Sequence, residues 1–273
     1  MIKYVREHLG VIVVWTASII AVLPFLAVVV MALNSPGSIS GSIDVGQATH
    51  FGNFRAVWDV AGFTSSMKAS AIIVISVVLI SVVIAVPAGY AFATIRFPGS
   101  NVIFYLVLMG ILIPLEAMII PLYFDMRRFG LVNNYWGVIL PDSALSVAFG
   151  CFWLRAHFLG SSKSLMEAAR IDGANSFQTL FFILLPQARA AIMAFAVLVF
   201  VWTWNDFLLP LVMLSGSSAQ TAPMSLVFFQ SQHTTNYTYL AAASIITAAP
   251  VVVAYVLMQK SFTRGLLSGA LKG

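Results

Sequence analysis

The residues of this sequence that could do chemistry fall into two small groups, the first of them around Glu167. Glu167, Arg170 and Asp172 lie close together in a sequence that is otherwise mostly apolar. No Ser/His/Asp or Cys/His arrangement stands out, and the histidines are too far apart in sequence to show metal-ligand spacing. We therefore expect no catalytic residue and no metal site. The chemistry open to this group is ionic attraction to charged groups on a partner.

The second group, Glu116, Asn205 and Asp206, lies within apolar runs. An ionisable residue at the centre of a membrane span costs about 2.5–3.5 kcal/mol on insertion scales, so it is a candidate functional group. Pro210, one turn after Asp206, frees a backbone carbonyl, which is tolerated beside a neighbouring helix or a water-filled cavity. We expect these residues and Trp204 to line a pathway. For Asn205 and Asp206 the alternative is an interhelical hydrogen bond, with Trp204 packed in the bundle. For Glu116 the alternative is pairing with a basic group on a partner subunit.

The elements around the first group are a short helix, a turn and a second helix. Ser164 followed by Glu167 is a capping-box pair, which predicts a helix start. Gly173 can adopt the left-handed conformation that ends a helix. Ser176 is a good N-cap for the second helix, which should stop or bend at Pro186. This helix–turn–helix either presents a docking surface to a partner protein or rests as a capped amphipathic helix at the lipid interface.

Composition identifies the environment of the chain. Of its 273 residues, 60% are hydrophobic and only 8% are charged, whereas soluble domains carry about 25% charged residues. The chain is therefore expected to be an all-α integral membrane protein. Its net charge of +5 is scattered beside apolar runs, so it does not indicate nucleic-acid binding. Cys151 is the only cysteine, which excludes an intrachain disulfide.

Six transmembrane helices are predicted from the apolar runs, at about residues 9–33, 67–94, 101–123, 135–158, 187–214 and 238–259. The third is expected to break at Pro114 and Pro121, and a loop should follow it at residues 124–134. With the N-terminus inside, the inner segments carry ten Lys and Arg residues and the outer segments four. The positive-inside rule therefore predicts that both termini and the segment around Glu167 are cytoplasmic.

Two domains are predicted. Residues 1–66 form an N-terminal span and an extracytoplasmic loop, and residues 67–273 form a core of five spans. The core includes a cytoplasmic segment at residues 161–186, between spans four and five, which we call the coupling segment. Asp142, near the outer end of the fourth span, is interpreted as an end cap.

The sequence resembles the membrane-spanning subunits of bacterial ABC importers. It matches their E-A-A-x3-G-x9-I-x-L-P signature, and it is similar in particular to the maltose-type carbohydrate permeases, over about residues 51–273. The matching residues are Glu167, Ala168, Ala169, Gly173, Ile183, Leu185 and Pro186, with further likeness at residues 113–114, 120–123, 204–210 and 264–273.

This resemblance implies a permease of the bacterial cytoplasmic (inner) membrane that moves a sugar by alternating access. Its partners would be a second permease subunit, two copies of an ABC ATPase, an extracytoplasmic solute-binding protein and membrane lipid. Glu167, Ala168, Ala169, Asp172, Gly173 and Pro186 would serve in ATPase coupling. The sequence has no G-x-x-x-x-G-K-[ST] phosphate loop, so we expect no cofactor in this chain, with ATP and Mg bound by the partner ATPase.

Three alternatives remain open from the sequence. The same architecture could import glycerol phosphate, a polyol or an amino-bearing solute. An ATP-independent secondary transporter should show repeated span pairs, and the E-A-A signature counts against it. A structural membrane protein has no obvious use for Glu116, Asn205 and Asp206.

Overall fold

The computed structural model describes residues 2–36, 49–160, 163–216, 220–230 and 235–270, and within these ranges the regular elements are helical. The expected all-α fold is confirmed. The α-helices are α1 Ile2–Ala32, α2 Gly52–Val60, α3 Phe63–Thr94, α4 Ser100–Leu112, α5 Leu115–Arg128, α6 Trp136–Leu159, α7 Lys163–Ile171, α8 Ser176–Gln178, α9 Leu185–Asn205, α10 Leu208–Met213 and α11 Tyr237–Ala270. A π-helical segment, Thr179–Leu184, joins α8 to α9, and a 3-10 helix covers Met224–Phe229.

Six membrane spans are present in the described residues when one bent helix pair counts as a single span. Five helical runs are each long and apolar enough to cross a membrane. The α4–α5 pair passes the same test with a bend of 100°. On this count α7 lies between spans four and five, as predicted. The five runs are Gly10–Ala32, Phe63–Thr94, Trp136–Leu159, Ser176–Asn205 and Tyr237–Gln259.

The bend between α4 and α5 is explained by Pro114. The ring of a proline disfavours the helical conformation in the preceding residue, and Ile113 is extended, with ψ at 117°. Pro121, by contrast, lies inside α5, which continues to Arg128. A proline removes only the hydrogen bond of its own missing N–H, and the turns on either side keep α5 helical. The predicted break at Pro121 is therefore wrong, and the predicted loop begins only after Arg128.

The fifth span is displaced toward the N-terminus relative to the prediction. The sequence predicts residues 187–214, whereas the helical run extends from Ser176 to Asn205. Pro186 does not end the second helix, because it lies in the first turn of α9 and follows the π-helical segment. There the N–H of Leu185 donates to the carbonyl of Leu180, five residues earlier. The wider winding lets the helix continue past the proline.

One compact unit comprises residues 65–224 and 250–273. Its core is formed by buried side chains of α3, α6 and α9. The three helices meet at Gly150 of α6, where an added Cβ would lie 2.5 Å from the Phe195 ring and 2.6 Å from the Ala85 Cβ. Such distances are far below van der Waals contact, so this close approach requires glycine.

The other compact unit comprises residues 1–64 and 225–249. Asn53 of α2 is buried, and its side-chain amide donates to the carbonyl of Ala32 at 2.9 Å and to that of Asn34 at 2.8 Å. These bonds attach α2 to the end of α1. In the membrane-spanning part of α1, the apolar 18-residue window contains no buried residue. These two units are defined by contacts between residues, whereas the predicted domains were defined along the sequence. The predicted domain boundary at residue 66 therefore stays a prediction.

Candidate coupling and transport sites

The first candidate site is α7 and the turn that ends it. Gly173 has a φ of +79°, which is the left-handed conformation predicted for it. The N–H of Ala174 donates to the carbonyl of Ala169 at 2.9 Å, and the N–H of Asp172 to that of Ala168 at 3.0 Å. The bond from Ala174 back to Ala169 is characteristic of a Schellman helix end. No atom lies within 4 Å of an added Cβ at Gly173, so the backbone conformation, not crowding, favours glycine there.

The outer face of α7 combines charged and apolar groups. Glu167, Ala168 and Asp172 are exposed, and Ile171 is 85% exposed. Ala169 is only 3% exposed. Of the two alanines expected to admit a partner, Ala168 is on the outer surface and Ala169 faces the interior of the chain. An uncovered isoleucine beside two carboxylates is a surface suited to docking.

The helix after the turn begins one residue earlier than predicted. Asn175, not Ser176, is the N-cap, so that prediction is wrong. The Asn175 Oδ1 accepts the N–H of Gln178 at 2.9 Å, and the Gln178 Oε1 accepts the N–H of Asn175 at 2.9 Å. This reciprocal pair is a capping box. The other predicted capping box involves Ser164, whose side chain lies outside the described residues.

A groove of about 890 Å³ lies between α7 and the turn that joins α3 to α4. Met166 and Glu167 line one side, and Thr94, Arg96 and Asn101 line the other. The coupling segment and the α3–α4 turn therefore lie at the same end of the unit. The predicted topology requires this arrangement, because it places both on the same side of the membrane.

The second candidate site is a cavity of about 510 Å³ beside two breaks in the helices. One break is at Ile113 and Pro114, between α4 and α5. The other follows Asn205, where Asp206 leads from α9 toward α10. The remaining wall comes from α6. Irregular backbone at membrane depth is tolerated where it lines a cavity, so the two breaks and the cavity belong together.

Asn205 and Asp206 both line this cavity, but part of each side chain serves the local backbone. The Asn205 Nδ2 donates to the carbonyl of Val201 at 2.8 Å, one turn earlier. The Asp206 Oδ1 accepts the N–H of Leu209 at 3.5 Å, at the start of α10. The Asp206 Oδ2 is buried and has no hydrogen-bond partner among the described residues. Asp206 thus supports the start of α10 and also lines the cavity.

Asp142 is not an end cap, and that interpretation is wrong. It lies in the second turn of α6, whose N-cap is Tyr135. It is 8% exposed and lines the cavity, and its Oδ2 has no hydrogen-bond partner in the described part of the chain. Ser146, four residues later, lines the cavity as well. This i, i+4 polar pair within an apolar run was the signal in the sequence that could have identified the cavity face of α6.

Glu116 lies in the first turn of α5 and is exposed. It is not among the described lining residues of the cavity, although its neighbours Pro114 and Leu115 are. Glu116 therefore lies next to the cavity, outside its described lining.

The two tryptophans near the break have different surroundings. Trp204 is 4% exposed, is stacked on Phe200 at 5.7 Å and packs in a cluster with Val74. This placement agrees with the packing alternative. Trp202 lines the cavity and meets the Phe149 ring edge-on, with the ring centroids 4.9 Å apart. The aromatic surface of the cavity thus comes from Trp202 and Phe149.

The chain contains membrane-spanning helices, a cavity with polar lining residues at two helix breaks, and an exposed helix–turn–helix. Together these features are those of a membrane transport subunit. A family described as "Binding-protein-dependent transport system inner membrane component" matches residues 82–266. The chain belongs to this family and is a multi-pass membrane protein. The resemblance stated from the E-A-A signature is thereby confirmed.

Several relatives are named as permease proteins of transport systems. The chain is 33% identical over 251 residues to the probable permease YurM of Bacillus subtilis, covering 92% of this chain and 83% of YurM. It is 36% identical to the arabinooligosaccharides permease AraQ of Halalkalibacterium halodurans, covering 81% and 79%. It is 29% identical to the trehalose permease SugB of Mycobacterium tuberculosis, covering 93% of each.

A solved structure has the same fold. It belongs to a bacterial ABC transporter involved in the import of the acidic polysaccharide alginate. The TM-score is 0.78, the identity is 22%, and the match covers 94% of this chain and 96% of the other. The chain therefore has the fold of an ABC importer permease.

Proposed function

We propose that this chain is the sugar-translocating permease subunit of a bacterial ABC importer and that it works by alternating access. Relatives named for the transport of arabinooligosaccharides and trehalose support the substrate class. The observation that carries the transport role is the cavity beside two broken membrane helices. Broken helices of this kind supply solute sites in membrane transporters, because their free backbone groups and polar residues face the cavity.

The pathway residues of this proposal have separate roles. Asn205 and Asp206 line the cavity and offer acceptors and donors to the solute. Glu116 adds negative charge from the first turn of α5. Trp204 does not contact the solute but holds the wall in place by packing in its cluster.

The coupling segment is the docking site for the ATPase. Glu167, Ala168 and Asp172 are exposed at the end of α7 beside the uncovered Ile171. Ala169 and the turn at Gly173 fix α7 against the chain. Two ATPase copies would bind the ATP and Mg, one docking here and one on a second permease subunit. No cofactor is assigned to this chain.

Docking and transport are connected through the fifth span. The helical run from Ser176 to Asn205 has 30 residues, which corresponds to about 45 Å. It begins at the coupling segment and ends at the cavity. Movement of α7 on ATP-driven closure of the ATPases would therefore reach Asn205 and Asp206 through a single helix.

The orientation follows from the distribution of basic residues. Ten Lys and Arg residues fall on the side of the coupling segment and four on the other side. The positive-inside rule assigns the side richer in Lys and Arg to the cytoplasm. Both termini and the docking surface are then cytoplasmic, and the solute-binding protein delivers the sugar from outside.

An amino-bearing solute is the second candidate, because the cavity is acidic. Glycerol phosphate and other anions fit less well, since no Lys, Arg or His is among the described residues that line the cavity. A neutral polyol presents the same hydroxyl groups as a sugar and would be distinguished by experiment.

The test is the ATPase activity of the reconstituted complex with its binding protein, a second permease and the ATPase. A panel of neutral sugars, polyols, amino sugars and phosphorylated solutes would be added one at a time. Stimulation by a neutral sugar is the expected result. Stimulation only by a phosphorylated solute would overturn the sugar assignment, and failure to assemble with any ATPase would overturn the transport role.

A further inference from the structure

The side chain that the proposed function leaves unexplained is Asp142. It is more than nine-tenths buried, it lines the cavity, and its Oδ2 has no hydrogen-bond partner among the described residues. Burying a carboxyl oxygen without a hydrogen bond is unfavourable, and an apolar side chain of similar size would pack there without that cost. A role in packing alone therefore does not account for Asp142. Its free oxygen is placed to accept a hydrogen bond from outside the chain.

Asp206, which also lines the cavity, presents the same feature. Its Oδ2 is buried and has no hydrogen-bond partner among the described residues, while its Oδ1 supports the start of α10. No basic side chain is found among the described lining residues. The cavity thus brings two carboxyl groups together, with no cationic group in its described lining.

Two aromatic side chains also line the cavity. Phe149 of α6 and Trp202 of α9 meet edge-on at 4.9 Å, and both line the cavity. Aromatic rings offer apolar surface to the C–H face of a sugar ring, while carboxyl oxygens accept its hydroxyl protons. The cavity volume of about 510 Å³ falls within the range of small-ligand sites.

We propose that Asp142 and Asp206, with Phe149 and Trp202, form a sugar subsite in this subunit that accepts hydroxyl donors and excludes anionic sugars. This inference rests on the proposed function and adds charge selectivity to it. The carboxyl oxygens accept protons from hydroxyl groups, and the rings contact the apolar face of the sugar. A uronate would bring a carboxylate into a cavity whose described lining offers no cationic group, so the cost of removing that carboxylate from water would not be offset. An ammonium group would be accepted, because either carboxyl group can pair with it.

The charge of the cavity can be measured directly in the assembled complex. The reporter is Val201→Cys, on the cavity wall, in a Cys151→Ser background that removes the native thiol. The rates at which this cysteine reacts with a cationic and an anionic methanethiosulfonate of similar size are compared. Each rate is divided by the rate at which the same reagent reacts with a free thiol. The cationic reagent is expected to be favoured by about fivefold or more. Asp142→Asn should reduce this preference, and the matched control Asp125→Asn, an exposed acid outside the cavity lining, should not.

Selectivity for the sugar is measured with the same reporter. The neutral sugar that stimulates the ATPase should slow modification of the reporter, and its uronate, which differs only by oxidation of one CH2OH group, should not. Equal protection by both sugars, or a reagent preference unchanged by Asp142→Asn, would overturn the subsite. If the Asp142→Asn variant no longer binds the second permease, Asp142 pairs with that subunit. This result would also overturn the subsite. If no sugar stimulates the complex at all, the proposed function fails, and the reagent rates still report the charge of the cavity.

Discussion

Asn175 and Asp206 flank the same continuous helical run, the first as its N-cap and the second as the residue directly after its end. Asn175 lies in the coupling segment, and Asp206 lines the cavity. The two candidate sites are therefore the two ends of one structural element. A change in the position of one end is transmitted to the other without passing through a loop.

Replacing Gly173 should affect coupling and leave insertion in the membrane intact. Valine at a φ of +79° is strained, and a residue with a Cβ in this conformation costs about 1–2 kcal/mol. We expect Gly173→Val to lower the amount of sugar transported per ATP hydrolysed. Gly173→Asn is the matched control, because asparagine tolerates the left-handed conformation. No atom lies within 4 Å of an added Cβ at this position, so valine strains the backbone without a side-chain clash. Normal coupling in the valine variant would therefore refute the role of the turn.

Charge reversal at Glu167 should weaken binding of the ATPase. Glu167 is exposed beside Ala168, so its carboxylate is available to a basic group on the partner. We expect Glu167→Lys to reduce copurification of the ATPase with the permease and Glu167→Gln to have a smaller effect. Asp59→Lys, an exposed acid on α2, serves as the control for a general effect of charge. Unchanged copurification of the Glu167→Lys variant would exclude the docking role.

Removal of the Asn175 cap should loosen the start of the fifth span. Substitution of an N-cap by alanine costs about 0.5–2 kcal/mol, because an N–H at the helix start loses its partner. Asn175→Ala is expected to lower transport per ATP, whereas Asn175→Asp keeps the acceptor and should behave like the native chain. The measurement is the ratio of sugar uptake to phosphate release in proteoliposomes. Equal ratios for the two variants would show that this cap is not needed for coupling.

Substitution of Asp206 should separate transport from docking. Asp206→Ala removes both the support of α10 and the free Oδ2 in the cavity. We expect sugar uptake to fall by about tenfold or more, which corresponds to about 1.4 kcal/mol, while ATPase copurification is unchanged. Asp206→Asn retains an acceptor for Leu209 and should lose less. Parallel loss of uptake and assembly in Asp206→Ala would favour a purely structural role.

Local rules predicted those features that depend on a few neighbouring residues. Gly173 was identified as the end of α7 because few other residues adopt a positive φ. Ser176 was predicted as the N-cap because serine favours that position. The residue followed by a glutamine at the capping-box spacing is Asn175, with Gln178 three positions later, and the structure uses that pair. Pro114 and Pro121 look equivalent in sequence. The first breaks the helix and the second does not, since tertiary packing selects where the chain bends.

Apart from the polar pair Asp142 and Ser146, the lining of the cavity could not be predicted in the same way. In an apolar membrane helix, hydrophobic periodicity gives little information on which face is inward, because lipid and protein interiors are both apolar. Trp204 was left undecided for this reason, and the face of α6 that carries Asp142 is indicated only by the spacing of that pair. Their surroundings depend on how α6 and α9 are rotated about their axes, which is set by contacts between helices distant in sequence.

The glycine at position 150 also limits how this subunit can move. An added methyl group there would overlap Phe195 of α9 and the methyl of Ala85 of α3, so the three helices leave no gap along which they could slide past one another. Interfaces packed this closely move as a rigid body. The conformational change that opens and closes the pathway must then be confined to the edges of this block. Ile113 and Pro114 on one side, and Asp206 and Phe207 on the other, are hinges at which it can occur.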